Sequence, residues 1–183
     1  MEVRRARQAY VGAIATVHVR AWQEAYPGLV PQAYLDALSV SERVEQWERT
    51  LADTDWPRRG TFVLEDEGRV DGFVFLRPSE DDDVGVEPVG EVAALYLRAS
   101  AWGGGGGRAL LTAARAEFYG AGLAQATLWV LGTNVRARHF YERCGWEADG
   151  VEKIHDWVTF TARDVRYRIA LDESAGGESR DRG

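Results

Sequence analysis

Five consecutive glycines, residues 103–107, restrict the fold of this chain more than any other feature. They separate a strand-like run that ends at Leu97 from a helical pattern that begins near Arg108. Glycine lets a ligand approach the backbone, and the first turn of the following helix offers unpaired N–H groups and a positive dipole end. The tract therefore predicts a diphosphate-binding loop, and a flexible linker or a plain tight turn is the alternative.

The residues after the tract distinguish it from two familiar phosphate loops. A P-loop requires Gly-Lys-Ser/Thr at its end, whereas Gly107 is followed by Arg108 and Ala109. A dinucleotide-binding loop requires a small residue where Arg108 stands and an acid further along. Neither type of loop is predicted.

Periodicity predicts strands and helices around the tract. Helices are expected from Val11 to Pro27, from Pro31 and after Ser39, where Glu42 has capping-box spacing. Strands are expected at Thr61–Glu65 and Val70–Leu76, joined by a hairpin turn, and at Val89–Leu97. After the tract we expect a helix, a strand at Ala126–Leu131 and a helix capped by Asn134. The last expected strands are Trp146–Asp149, paired with Trp157–Thr161, and Val165–Leu171. This order predicts a mixed sheet of the α/β or α+β kind.

Composition sets the domain organisation. The chain has 183 residues, 45% of them hydrophobic, which suits one domain over residues 1–171. Residues 172–183 are rich in Gly, Ser and charge, so a disordered tail is expected there. The acidic run Glu80–Asp83 predicts a solvated loop.

Charge and cysteine content limit the partners. A net charge of −7 argues against a nucleic-acid partner, and no apolar run approaches the length of about 18 residues that a membrane span needs.

Cys144 is the only cysteine, so an intramolecular disulfide is excluded and a cytoplasmic location is expected. His139, His155 and Cys144 lack metal-ligand spacing, and no metal is expected.

Three segments carry a resemblance to a known family. They are Val92-Ala93-Ala94-Leu95-Tyr96-Leu97, the glycine tract running into Arg108-Ala109-Leu110-Leu111, and Asn134-Val135-Arg136-Ala137-Arg138-His139-Phe140-Tyr141-Glu142-Arg143-Cys144-Gly145-Trp146. Together they resemble the GCN5-related N-acetyltransferase (GNAT) superfamily over residues 2–171. The resemblance implies a mixed, largely antiparallel central sheet flanked by helices, and an enzyme that transfers an acetyl group from acetyl-CoA to a primary amine by direct attack. Many members of the superfamily are dimers, so a homodimer is a further expectation.

The resemblance also implies which residues bind acetyl-CoA. The backbone of Leu95, Tyr96 and Leu97 would pair with the pantetheine arm as an added strand. Asn134 would bind the pantetheine region from the start of its helix. The amides of six residues would hold the pyrophosphate: Gly103, Gly104, Gly105, Gly106, Gly107 and Arg108. Where the family commonly has Arg or Gln this chain has Trp102, and Gly104 replaces a common basic residue.

Two residues are candidates for proton transfer. Asn134 and Tyr141 lie seven residues apart, so on a helix they share one face at a separation of roughly 10 Å. A phenol can donate a proton to a leaving thiolate, which makes Tyr141 the candidate general acid, as the resemblance also implies; a core tyrosine is the alternative. The resemblance implies Glu91 as a base that acts through water, and a solvated strand-end glutamate is the alternative. Trp129 occupies a second position that some relatives use for a base.

The acceptor side is less defined. His18, Trp22 and Tyr26 follow one another at four-residue steps on the first helix, in a stretch that resembles the acceptor mouth of many relatives. Aromatic walls suit a small amine, although such spacing is also typical of core residues. The acceptor, a small molecule or a peptide, stays open, and a non-catalytic acyl-CoA-binding or sensing module is the rival function.

Overall fold

The computed structural model describes residues 1–82, 88–157 and 159–172. The helices are α1 (Val11–Ala25), α2 (Gln32–Asp36), α3 (Val40–Ala52), α4 (Gly106–Gly120) and α5 (Val135–Arg143). The strands are β1 (Glu2–Arg5), β2 (Gly60–Asp66), β3 (Arg69–Pro78), β4 (Gly90–Leu97), β5 (Gln125–Leu131), β6 (Glu147–Trp157) and β7 (Phe160–Ala170). The expected alternation of helices and strands is confirmed.

The strands form one sheet in the order β1-β2-β3-β4-β5-β7-β6. Each neighbouring pair is antiparallel except β4 and β5, which run parallel. One face of the sheet packs against α4 and α5 through a core that includes Leu110, Phe118 and Tyr141. The other face packs against α1 and α3 through Ile14 and Trp47, among others. The predicted mixed, largely antiparallel sheet flanked by helices is confirmed.

Local signals that the sequence contains are used where they were expected. In the turn between β2 and β3, Glu67 and Gly68 both have positive φ, at 49° and 81°, as a two-residue hairpin of the primed type requires. Ser39 caps α3, because its hydroxyl accepts a hydrogen bond of 3.4 Å from the Glu42 amide. The turn fixes where β2 ends and β3 begins, and the Ser39 cap fixes the start of α3.

The last part of the sheet differs from the prediction. The three short strands expected at Trp146–Asp149, Trp157–Thr161 and Val165–Leu171 are two long strands, β6 and β7, which pair with each other over most of their length. A register shift between Ala148 and Glu152 interrupts β6 at Gly150, which has a φ of 83°. This irregularity and the charged residues that follow it hide the strand period in the sequence.

Two further expectations meet the described residues only in part. Apart from Asp172, the predicted tail lies outside the described residues, as does Asp83 in the acidic run. The solvated-loop prediction is wrong for Asp81, whose carboxylate accepts a hydrogen bond from Trp129 Nε1 at 3.1 Å and pairs with Arg166 at 3.2 Å. Helices long and apolar enough to cross a bilayer do not occur in the described ranges.

Candidate active site

The candidate site begins with a divergence of β4 from β5. The two strands pair only over Gly90–Val92 and Ala126–Leu128, although they continue to Leu97 and Leu131. The divergence starts at Ala93, which has no partner in β3 because the register shifts there by one residue. Such a bulge bends its strand and increases the local twist. The backbone of β4 beyond Val92 is therefore left without a neighbouring strand on the β5 side.

A cavity of about 830 Å³ fills this gap. Its volume falls in the range of about 300–1,000 Å³ that is typical of sites for small molecules and cofactors. The lining comes from α1, β4, the glycine tract, β5, α5 and the β6–β7 hairpin. Leu95, Tyr96 and Leu97, for which the resemblance implied a role in binding acetyl-CoA, are among the lining residues.

The glycine tract forms one end of the cavity. Gly103 and Gly105 have φ values of 77° and 83°, a left-handed conformation in which glycine is favoured, and α4 begins at the next residue, Gly106. The first turn of α4 therefore opens toward the cavity with its unpaired N–H groups. Gly103, Gly105, Gly106, Gly107 and Arg108 line the cavity, and Gly104 is the exception among these described residues.

Arginine side chains from two helices flank the tract. Arg108 of α4 and Arg136 and Arg143 of α5 line the cavity. The Arg136 guanidinium lies 3.2 Å from the centre of the Trp102 ring, and Trp102 Nε1 donates to the Leu97 carbonyl at 3.2 Å. Cations from α5 thus lie beside the tract, where the resemblance led us to expect basic side chains at positions 102 and 104. The seven-residue spacing of Arg136 and Arg143 was the available signal, since it puts both on one helix face.

Asn134 and Tyr141 stand at opposite ends of the same face of α5, and both line the cavity. Asn134 Oδ1 caps the helix by accepting a hydrogen bond of 3.1 Å from the Ala137 amide. In the described part of the chain, neither the Asn134 Nδ2 group nor the Tyr141 hydroxyl has a hydrogen-bond partner. Both groups are available to a ligand.

Tyr141 lies in a nearly dry environment. Its side chain is 8% exposed, and burial raises its pKa, with Tyr96 and Cys144 acting in the same direction. The phenol therefore keeps its proton at neutral pH. The same burial would raise the pKa of a thiolate formed beside it, so proton donation between the two stays feasible.

Glu91 is not a solvated strand-end residue. It is 5% exposed, lines the cavity, and its Oε1 accepts a hydrogen bond of 3.1 Å from Arg77 Nη2. Arg77 lies directly across from Glu91 in the β3–β4 register, and it also pairs with Glu80 at 3.2 Å. The hydrogen bond from Arg77 thus holds the Glu91 carboxylate at the cavity wall.

The three residues expected at the acceptor mouth separate into two groups. Trp22 and Tyr26 line the cavity, with their rings stacked at a centroid distance of 4.4 Å. His18 is not among the lining residues; its Nδ1 accepts from Trp47 Nε1 at 3.1 Å, and its ring stacks on Tyr96. Burial lowers the pKa of His18 to about 3, so the ring is neutral and serves the core between α1, α3 and the sheet.

The β6–β7 hairpin supplies lining residues that the sequence patterns did not predict. They are Lys153, His155, Phe160, Ala162 and Asp164. Asp164 fell between two predicted strands, at the point where β7 in fact continues. Within the described residues, no group of three or more His, Cys, Asp or Glu side chains is arranged to hold a metal ion.

Comparisons with known proteins agree with this geometry. Residues 16–146 match the model of the acetyltransferase (GNAT) family. The uncharacterized N-acetyltransferase YuaI of Bacillus subtilis (strain 168) is 33% identical over 134 residues, which cover 72% of this chain and 72% of YuaI. A mycothiol acetyltransferase of Saccharomonospora viridis is 38% identical over 91 residues, 48% of this chain and 30% of that relative's length.

Solved structures of other N-acetyltransferases share the fold. The PaiA N-acetyltransferase of Thermoplasma acidophilum, solved in complex with coenzyme A, aligns with a TM-score of 0.71 at 17% identity, over 92% of this chain and 98% of that one. At this identity the likeness concerns the fold. The family match over most of the chain and the identity to YuaI go further, and they establish that this chain belongs to the GNAT family of acetyltransferases.

Proposed function

We propose that this protein transfers the acetyl group of acetyl-CoA to a primary amine of a small molecule or peptide, by direct attack of the amine on the thioester. The observation that carries the proposal is the cavity between β4 and β5, which has a phosphate-type loop at one end and Tyr141, Glu91 and an aromatic wall among its other lining residues. Neither the loop nor this set of side chains would be expected in a cavity without a function.

The cofactor half suits a long, phosphorylated ligand. The stretch Leu95, Tyr96 and Leu97 has no neighbouring strand on the β5 side, so its backbone can pair there with the pantetheine arm in the manner of an added strand, with the Leu97 carbonyl already accepting from Trp102 Nε1. The free Nδ2 group of Asn134 can donate to one of its carbonyl groups. The amides of the tract and of the first turn of α4 suit the pyrophosphate, and Arg108, Arg136 and Arg143 offset its charge.

The catalytic half can move both protons that the reaction releases. Glu91 takes the first, through water, from the incoming ammonium, which gives the amine a lone pair. The amine nitrogen then bonds to the thioester carbonyl carbon, and the carbon–sulfur bond breaks as the carbonyl re-forms. Tyr141 donates its proton to the departing sulfur and recovers one from the new amide nitrogen. Atoms and charges balance with Glu91 left protonated, to be discharged to solvent.

The rival is a module that binds acyl-CoA without turnover. The contact of Glu91 with Arg77 favours it, because Oε1 of the carboxylate already accepts a hydrogen bond and is less available to a water molecule. The two functions differ in whether thiol release depends on an amine.

The test is calorimetric titration with acetyl-CoA, followed by a thiol-release screen over polyamines, amino acids, aminoglycosides and peptides. We expect Tyr141→Phe to lower kcat about 100-fold or more while the acetyl-CoA Kd is retained, because the variant removes only the proton donor. Tyr119→Phe, on the exposed side of α4, is the matched control. Glu91→Gln should lower the rate at neutral pH more than at high pH, where the amine is already neutral.

Tight binding of acetyl-CoA with no amine-dependent thiol release would support the rival module instead. Turnover that Tyr141→Phe leaves unchanged would remove Tyr141 as the proton donor. Absence of acetyl-CoA binding would overturn the proposal as a whole.

A further inference from the structure

The β6–β7 hairpin brings to the cavity a carboxylate that the chemistry above does not use. Asp164 lies on β7 opposite Leu131 of β5 and Lys153 of β6. Its side chain is 15% exposed and lines the cavity together with Tyr26 and Phe160. Asp164 is thus partly withdrawn from water on the side of the cavity formed by α1 and the hairpin.

Nothing in the described ranges donates a hydrogen bond to the Asp164 carboxylate. His155 Nδ1 is 3.7 Å from Oδ2, which is too far for a hydrogen bond. Lys153, the cross-strand neighbour, holds its ammonium 3.9 Å from the centre of the Trp129 ring instead. Buried carboxylates are normally paired and hydrogen-bonded, because removing their charge from water is costly. Asp164 therefore lacks the donors that would offset its burial.

The electrostatics of Asp164 agree with this geometry. Burial raises its pKa, and His155 and Lys153 on β6 act in the opposite direction without cancelling the effect. The charge of Asp164 also reaches α1, where it adds to the rise in the pKa of Tyr26 that burial causes. A ligand that supplies a positive charge and N–H donors would offset the cost of burying the Asp164 carboxylate.

Aromatic side chains surround the same region. Tyr26 stacks on Trp22, and Tyr34 meets the edge of Phe160 at a centroid distance of 5.1 Å. Such rings pack against an apolar or aromatic body and attract a cation through their faces. A wall of this kind beside a carboxylate is suited to an organic ammonium ion.

Glu91, the second carboxylate of the cavity, is less suited than Asp164 to binding an ammonium group. Glu91 already receives a hydrogen bond from Arg77 at 3.1 Å, so its charge is offset before any ligand arrives. The two acids therefore differ in what they lack. Glu91 is hydrogen-bonded to Arg77 and suited to proton transfer through water, whereas Asp164, 3.7 Å from His155 Nδ1, has no hydrogen-bond donor in the described ranges and is suited to a direct ionic contact.

We propose that Asp164 binds the ammonium group of the acceptor, and that the acceptor is a primary amine, cationic at neutral pH, with an apolar or aromatic body. This rests on the proposed function in one respect, that the amine bound here is the one acetylated. One proton leaves the ammonium toward Glu91 as above, and a remaining N–H bond keeps the contact with Asp164. Amines that carry a carboxylate beside the nitrogen are disfavoured by repulsion from Asp164.

The test compares two ligands of one shape and needs no turnover. The protein, saturated with coenzyme A, is titrated by calorimetry with 4-methylbenzylamine and with 4-methylbenzyl alcohol. We expect the amine to bind about 10-fold tighter or more, as a charge-assisted hydrogen bond implies. Asp164→Asn should abolish this preference while leaving the affinity for the alcohol unchanged, and Asp164→Ser, which also removes the charge, should do the same.

Glu152→Gln is the matched control, since Glu152 lies on the same hairpin, is 49% exposed and pairs with Arg163 outside the cavity lining. It should retain the full preference for the amine. Unchanged coenzyme A affinity in each variant verifies the fold.

Equal binding of the two ligands, no binding of the amine at millimolar concentration, or a preference that survives Asp164→Asn would overturn the assignment. Failure of the proposed function is seen separately, as absence of coenzyme A binding or of amine-dependent thiol release in the wild-type protein.

Discussion

The glycine tract offers the sharpest single test of the cofactor half, because neighbouring glycines in it have different backbone conformations. Gly105 has a φ of 83° and lines the cavity, whereas Gly104 is outside the positive-φ region and outside the lining. A Cβ at Gly104 would come within 3.3 Å of Met1 Cε, the end of a flexible side chain that can move. A Cβ at Gly105 would meet no atom within 4 Å. Any penalty of Gly105→Ala therefore comes from the backbone conformation.

The size of that penalty follows from two opposing effects. A left-handed conformation costs an L-residue about 1–2 kcal/mol, and alanine recovers roughly 0.4–1 kcal/mol by restricting the unfolded chain. The net cost is about 1 kcal/mol, which corresponds to a factor of roughly five in an equilibrium constant. Adding Gly103→Ala, at a φ of 77°, should double the free-energy cost.

The cost can appear in either of two measurements. If the alanine variant keeps the loop conformation without ligand, its free energy of unfolding falls and its coenzyme A affinity is retained. If the free loop relaxes, stability is retained and the affinity falls about fivefold. Unfolding of the coenzyme A-saturated protein includes the full cost in both cases. Denaturant titration with and without saturating coenzyme A, on both single variants and the wild-type protein, separates these contributions.

Gly104→Ala should behave like the wild-type protein in both titrations. Saturated Gly105→Ala protein with wild-type stability would refute the assignment of a strained, ligand-holding loop. An equal loss in Gly104→Ala and Gly105→Ala would show that the penalty does not depend on the left-handed conformation.

Two further predictions concern charges in the cavity. Arg136→Gln should weaken coenzyme A binding about three- to tenfold and reduce its dependence on salt, because one cation near the phosphates is lost. Calorimetry at two salt concentrations measures both effects. The control variant Arg49→Gln, on α3, should change neither the affinity nor its salt dependence. The pKa of Asp164 is raised in the folded protein, so its charged form destabilises the fold at neutral pH. This destabilisation decreases as the pH falls through the raised pKa, and it is gone below the pKa of the unfolded chain, which is near 4. Asp164→Asn should therefore have a higher Tm than the wild-type protein at pH 7.5 and the same Tm at about pH 3.5; a lower Tm at pH 7.5 would contradict this.

The elements on the proposed cofactor side of the cavity were largely predictable because they are short segments of the chain. The glycine tract, the strand before it and the Asn134 cap each depend on residues that are close in sequence. The bulge at Ala93 was not predictable, because it is defined by the register of β4 against β3. The opening of the sheet therefore depends on a pairing that the periodicity of one strand does not contain.

The acceptor half depends on contacts between distant segments. Asp164 becomes a lining residue only because β7 lies beside β5, about one strand spacing of 4.8 Å away. The sequence pattern ended one strand before Asp164 and began another after it, because charged residues interrupt the apolar alternation in β6 and in the first half of β7. Asp81 escaped notice similarly, because Arg166 and Trp129 are far away in sequence.

Helix geometry explains why one spacing predicted the site and another did not. Seven residues turn an α-helix through nearly two full turns, with a deficit of only about 20°, so Asn134 and Tyr141 keep a common face and both reach the cavity. Each four-residue step overshoots a turn by about 40°, and from His18 to Tyr26 the two steps add to about 80°. That rotation directs His18 toward Trp47 and the core while Tyr26 lines the cavity. Aromatic residues at four-residue steps therefore share a site only over a single step, as Trp22 and Tyr26 do.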